Sequence, residues 1–200
     1  MKIIGEKING TRKRVAQAIA ERDAEFIKSL AREQAEAGSA WLDVNAGTHP
    51  NQEPEDLVWL IENIQVAVDT PLALDSANPK ALAVAIREVD QTPMINSISG
   101  EPERLENILP IVAEHGCEVI ALAMDDKKIP ETYEKRLEVI DAIMAATRGA
   151  GVADDKVYVD PLAMTIATAN QSAVIACDTI RTVKKKYPDV HFTMGLSNIS

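Results

Sequence analysis

A series of carboxylates and carboxamides recurs at one kind of position in this chain. Glu6 and Asn9, Asp43 and Asn45, Asp75 and Asn78, Asn96 and Ser97, Asp125, Asp160, and Ser197 and Asn198 each close or follow a short apolar run. Lys7 is the one basic residue in the set, and His49 is the one histidine near it. This inventory restricts the chemistry. Without further lysines a Schiff base has no donor, and without a basic cluster a phosphate has no clamp. A carboxylate accepts two parallel N–H bonds, as it does from guanidinium. A carboxamide both accepts and donates, so it can read a ring nitrogen beside an amino group. Together they suit a flat heterocycle with a guanidine-like edge, such as the edge of a 2-amino-4-oxo pterin. Two other uses are open to the same residues. Strand-end Asp and Asn cap the helices that follow, and Asp43, Asp75 and Asp160 could offer oxygen ligands to a hard cation.

Positioning such a set requires elements that end side by side. The apolar runs are Lys2–Asn9, Trp41–Gly47, Pro71–Asn78, Pro93–Gly100, Cys117–Asp125, Val157–Ala163 and His191–Ser200. They show little polar alternation, as strands buried on both faces do. Helical periodicity fills the intervals. Leu57, Leu60, Ile61, Ile64 and Val68 form one stripe, Leu105, Ile108, Leu109 and Val112 a second, and Tyr133, Leu137, Ile140 and Met144 a third. Pro54 and Pro102 sit where helix starts tolerate a missing N–H. Gly38 and Gly116 sit where helix ends want a left-handed residue. Residues 11–38 read as a short and a longer helix separated near Asp23, an N-cap residue. The order is βα repeated, which means parallel strands and right-handed crossovers.

Seven strands fit either an open doubly wound sheet or an incomplete (β/α)8 barrel. GEKING after the first strand is not the GxGxxG turn of a dinucleotide-binding sheet. Polar residues at almost every strand's C-terminal end match the active-site rim of a barrel. The expectation is therefore an α/β TIM barrel occupying residues 1–200 as one domain. Its last helix–strand–helix portion is expected to lie outside the 200 residues, because a complete barrel needs eight strands and about 250 residues.

Composition excludes several classes. There are 21 basic and 31 acidic residues, giving a net charge of −10. A nucleic-acid binder needs a basic face, and a peripheral membrane anchor a polybasic one. No apolar run approaches the about 20 residues of a membrane span. The first residues lack the apolar core of a secretory signal, so a cytoplasmic location is expected. Cys117 and Cys177 read as small buried hydrophobes rather than a disulfide framework. His49, His115 and His191 form no HxH or HExxH pattern, so no zinc site is expected, and the Asn residues set among Asp43, Asp75 and Asp160 favour hydrogen bonding over cation binding. Lys184–Lys186 reads as a solvated helix end.

The segments GEKIN, LDVNAG, LDSAN, MINSIS, VYVDPL and MGLSNIS, in this order and spacing, resemble the pterin-binding family of TIM barrels. Within it the chain is most similar to methyltetrahydrofolate:corrinoid protein methyltransferases of anaerobes, and also to the folate domain of cobalamin-dependent methionine synthase. The likeness covers all 200 residues. It implies that Asp75, Asn96 and Asp160 hold the pterin edge, that Asp43 and Asn9 support the pocket floor, and that Asn198 faces N5 as the catalytic residue. The implied substrate is methyltetrahydrofolate or tetrahydrofolate, and the implied cofactor is cobalamin, a corrinoid carried by a partner protein. A homodimer is the expected assembly. Dihydropteroate synthase resembles the chain at the same Asp and Asn positions. However, Asp160-Pro161 continues as LAMTIAT rather than into a Gly-rich loop, and Asn198 stands where a Lys-bearing motif is expected. A folate-binding subunit without catalysis is the other alternative. No side chain of the ring has an obvious pKa near neutrality, so water is the expected source of any proton.

Overall fold

The structure is a computed structural model describing residues 1–126, 129–163 and 172–195. Strand and helix alternate from β1 to β7, and the chain forms two compact units, 1–96 and 97–200.

The first unit opens with β1 (Ile4–Asn9), α1 (Lys13–Glu21) and α2 (Ala24–Glu36). The separation of the two helices falls where expected, since the Asp23 side chain accepts from the Phe26 N–H at the start of α2. Next come β2 (Trp41–Asn45), α3 (Glu53–Ala67), β3 (Leu72–Asp75), α4 (Pro79–Ala85) and β4 (Met94–Ser99). β1 pairs with β2, β2 with β3 and β3 with β4, all parallel. Leu42, Val44, Leu72, Leu74, Met94 and Ile95 are buried, as are Leu57, Leu60, Ile61 and Ile64 of the α3 stripe. A strand covered by helices on one face and packed into a core on the other has no wet face, hence its unbroken apolar run. β1 departs from this pattern. Glu6 and Lys7 are exposed, and of its six residues only Ile8 is fully buried.

The second unit holds α5 (Pro102–His115), β5 (Glu118–Leu122), α6 (Tyr133–Gly149), β6 (Val157–Asp160), α7 (Ser172–Lys186) and β7 (His191–Phe192). β5 pairs with β6 and β6 with β7, again parallel. Gly116 adopts φ 63° just past α5, the left-handed stop expected there. The buried face of α6 is Arg136, Val139, Ile140, Ile143, Met144 and Thr147. The expected stripe is therefore rotated: Tyr133 and Leu137 lie at its margin, because a buried arginine occupies the position an apolar residue would signal. Cys117 is buried, but Cys177 is exposed, which corrects the expectation of two buried thiols. It lies beside Ala176 on α7, and the face that packs runs through Ala176, Thr179 and Val183. Among the described residues no helix is long and apolar enough to cross a membrane.

Candidate functional site

In the first unit, strand register gathers the predicted residues. Asn9 is level with Asn45, and Asp75 is level with Asn96. Val44 is level with Leu74, so the next residues, Asn45 and Asp75, also stand side by side. Asn9, Asn45, Asp75 and Asn96 thus form one row across four parallel strands, the first three as the last residues of β1, β2 and β3 and Asn96 within β4. Asp43 lies two residues before Asn45, on the same face of β2 because side chains alternate. Hydrogen bonds tie the row together. Asn45 Nδ2 donates to Asp75 Oδ2 at 2.8 Å, and Asn96 Nδ2 donates to Asp43 Oδ1 at 2.9 Å.

The electrostatics are unusual for carboxylates. Asp43 is only 2% exposed. Burial first, then the negative charge of Asp75, pushes its carboxyl up to about 7; the Asn96 hydrogen bond opposes the rise and Glu6 adds to it. This corrects the expectation that no ring residue titrates near neutrality. The missing signal was burial, which a sequence does not report for a single aspartate. Asn45 Oδ1 and Thr48 Oγ1 are buried and have no hydrogen-bond partner among the described residues. Buried acceptors are ordinarily satisfied. An acceptor left open beside Asp75 is what an incoming N–H edge would use, so the donor set fits a guanidine-like heterocycle.

The loops behind the row are fastened by the candidates Asn78 and Asn9 together with Glu53 and Ser76, which sequence reasoning passed over. Asn78 is the N-cap of α4, its side chain accepting from the Lys80 N–H, so for this residue the capping use applies. Its Nδ2 also donates to Glu53 Oε2 and the Pro50 carbonyl. Ser76 Oγ donates to Glu53 Oε1. Glu53, in the first turn of α3, thereby anchors the loop that follows Asp75. Asn9 Oδ1 accepts from the Thr11 N–H and hydroxyl, a local turn that shapes the loop after β1. The Gly10 N–H donates to the Asn45 carbonyl at 2.8 Å.

In the second unit, Asp160 ends β6 and its Oδ1 accepts from the Leu162 N–H at 2.7 Å. Arg136, which sequence reasoning missed, packs beneath the same turn and donates to the Pro161 and Leu162 carbonyls. Asn198 and Ser197 lie outside the described residues. Among the described residues no group of three or more His, Cys, Asp or Glu is arranged to hold a metal ion.

Residues 5–200 match the family described as pterin binding enzyme. The chain is 38% identical over 202 residues to a methylcorrinoid:tetrahydrofolate methyltransferase of Eubacterium limosum, covering 100% of this chain and 74% of that protein. It is 28% identical over 209 residues to a methionine synthase of Mycobacterium tuberculosis, covering 99% of this chain but 18% of that protein. Among solved structures, dihydropteroate synthase of Xanthomonas albilineans with 4-aminobenzoic acid superposes with a TM-score of 0.69 at 20% identity, over 98% of this chain and 71% of that one. The synthase of Vibrio fischeri gives 0.68 at 19%, over 98% and 72%. At such identity the structural likeness speaks for the fold alone, an α/β fold of the TIM-barrel class. The profile match and the full-length relative speak for descent: the chain belongs to the pterin-binding enzyme family.

Proposed function

We propose that the protein is a methyltransferase acting between N5 of methyltetrahydrofolate and the cobalt of a corrinoid carried by a partner protein, with residues 1–200 serving as its pterin-binding domain. The observation that carries this reading is the row of Asn45, Asp75 and Asn96 above Asp43, with its unsatisfied buried acceptor. The relative from Eubacterium limosum, whose name states a methylcorrinoid and tetrahydrofolate, supports the substrate pair.

In this reading Asp75, Asn96 and Asp160 accept and donate along the pterin edge. Asn45 holds Asp75 in place through its amide N–H and offers its open oxygen to the ligand. Asp43 and Asn9 form the floor, where Asp43 carries a proton in part of the molecules at neutral pH. The corrinoid supplies the cobalt electron pair that accepts the methyl group. N5 departs with the electron pair of the broken C–N bond and needs a proton or strong hydrogen bond as it does so. Stabilisation confined to that moment lowers the barrier without tightening ground-state binding. Asn198 is assigned this part, because a carboxamide can turn its oxygen to a protonated N5 and its NH2 to a neutral one. Water supplies the proton.

Calorimetry with methyltetrahydrofolate tests the recognition half. Wild-type protein should bind, and Asp75→Ala should weaken binding by about 1.5–3 kcal/mol, the worth of hydrogen bonds to a charged group. Equal affinity of the two proteins would remove Asp75 from the pterin site.

A further inference from the structure

Arg136 is the largest fully buried side chain among the described residues, 2% exposed, on the inner face of α6. A buried guanidinium is tolerated only when its donors are used. Its four hydrogen bonds to described residues all go to backbone carbonyls. Nε and Nη2 donate to Pro130 at 3.2 and 3.0 Å. Nη1 donates to Pro161 at 2.5 Å and to Leu162 at 3.2 Å. The fork therefore joins the segment before α6 to the turn after β6.

That turn is held in an unusual shape. Leu162 has φ 55°, one of two non-glycine residues with positive φ among the described residues. A branched, bulky residue stays there only when its surroundings over-determine it. The surroundings are visible: Arg136 holds the carbonyls of 161 and 162 from below, and Asp160 Oδ1 holds the N–H of 162. The same bond sets the orientation of the Asp160 carboxylate. Burial lowers the pKa of Arg136, and the charge of Asp160 acts to raise it again. The two groups are thus linked through both the turn and their charges.

We infer that Arg136 is a positioning residue for pterin recognition, fixing the Pro161–Leu162 turn so that Asp160 presents its carboxylate to the pterin N–H edge. This rests on the reading in which Asp160 holds the pterin. A lysine cannot replace the fork, because a point charge on a flexible stem reaches one carbonyl cluster and not both.

The test is calorimetric titration of the whole chain with methyltetrahydrofolate for wild type, Arg136→Lys, Asp160→Asn and the double variant, with melting temperatures recorded in parallel. Each single change should weaken binding at least about tenfold, and the double variant should be within about threefold of the weaker single, as expected for coupled residues. Arg136→Lys binding as wild type, or penalties that simply multiply, overturns the inference. Failure of wild type to bind overturns the pterin reading instead. If Arg136→Lys does not fold, the Arg136 Nε–H resonance gives the answer in the native sequence. It should shift on saturation with methyltetrahydrofolate in wild type and be displaced in free Asp160→Asn; a resonance indifferent to both overturns the inference.

Discussion

Asp43 makes a prediction of its own. Its carboxyl sits at about 7 in the fold against 3.8 in an open chain. Between those values the native state keeps a proton that the unfolded chain releases. The stability it contributes is complete below about 3.8 and is lost as pH rises through about 7. The loss is up to about 4 kcal/mol at about 1.36 kcal/mol per unit. Asp43→Asn removes this titration while its amide oxygen can still accept from Asn96. Urea unfolding should therefore show the variant gaining on wild type between pH 5 and pH 8, and parallel pH profiles would contradict this. The Asn96 hydrogen bond pulls the Asp43 carboxyl down, so Asn96→Ala should move its midpoint higher still, as followed by carboxyl 13C NMR. The identities of Asp43, Asp75, Asn96 and Asp160 as site candidates were legible in the sequence, because polar residues ending apolar runs are conspicuous. Their division of labour was not. Asn45, the last residue of β2, orients Asp75, whereas Asn78, three residues past the end of β3, caps α4.

The elements place the row through close approach. A Cβ on Gly10 would lie 1.8 Å from the Ala46 carbonyl oxygen, and one on Gly47 would lie 2.6 Å from the Gly10 carbonyl carbon, less close but still too close to be accommodated. The loops after β1 and β2 touch backbone to backbone, which leaves Asn9 and Asn45 level. Gly10→Ala should therefore destabilise by about 3 kcal/mol, the upper range for overpacking, measured as a fall in the urea midpoint; a fall under about 0.5 kcal/mol, the scatter of a neutral surface change, would mean the contact is not held. The βα order was readable because buried parallel strands and amphipathic helices differ in period. The phase of α6 was not readable, since Arg136 stands on its buried face and charge ordinarily marks the wet side. α4 was also missed. Its seven residues, PKALAVA, are too short and too uniformly apolar to show a period.

At the scale of the whole molecule, the net charge of −10 is the opposite of the basic balance by which proteins neutralise phosphates, and a protein-borne corrinoid is the proposed second substrate. Asn198 carries the kinetic part of the proposal. Asn198→Ala should lower the transfer rate more than about tenfold, equivalent to about 1.4 kcal/mol of barrier, with folate affinity and melting temperature nearly unchanged; early melting with an undiminished rate per folded molecule would mark a helix cap instead. The most direct test of the account is the reaction itself. Methyltetrahydrofolate and free cob(I)alamin are mixed anaerobically with the protein, and the cobalamin absorbance is followed. Catalysed formation of methylcobalamin is expected, and Asp75→Ala should abolish or strongly slow it. Tight folate binding with no transfer above the uncatalysed rate would contradict it and leave a folate-binding protein without this chemistry.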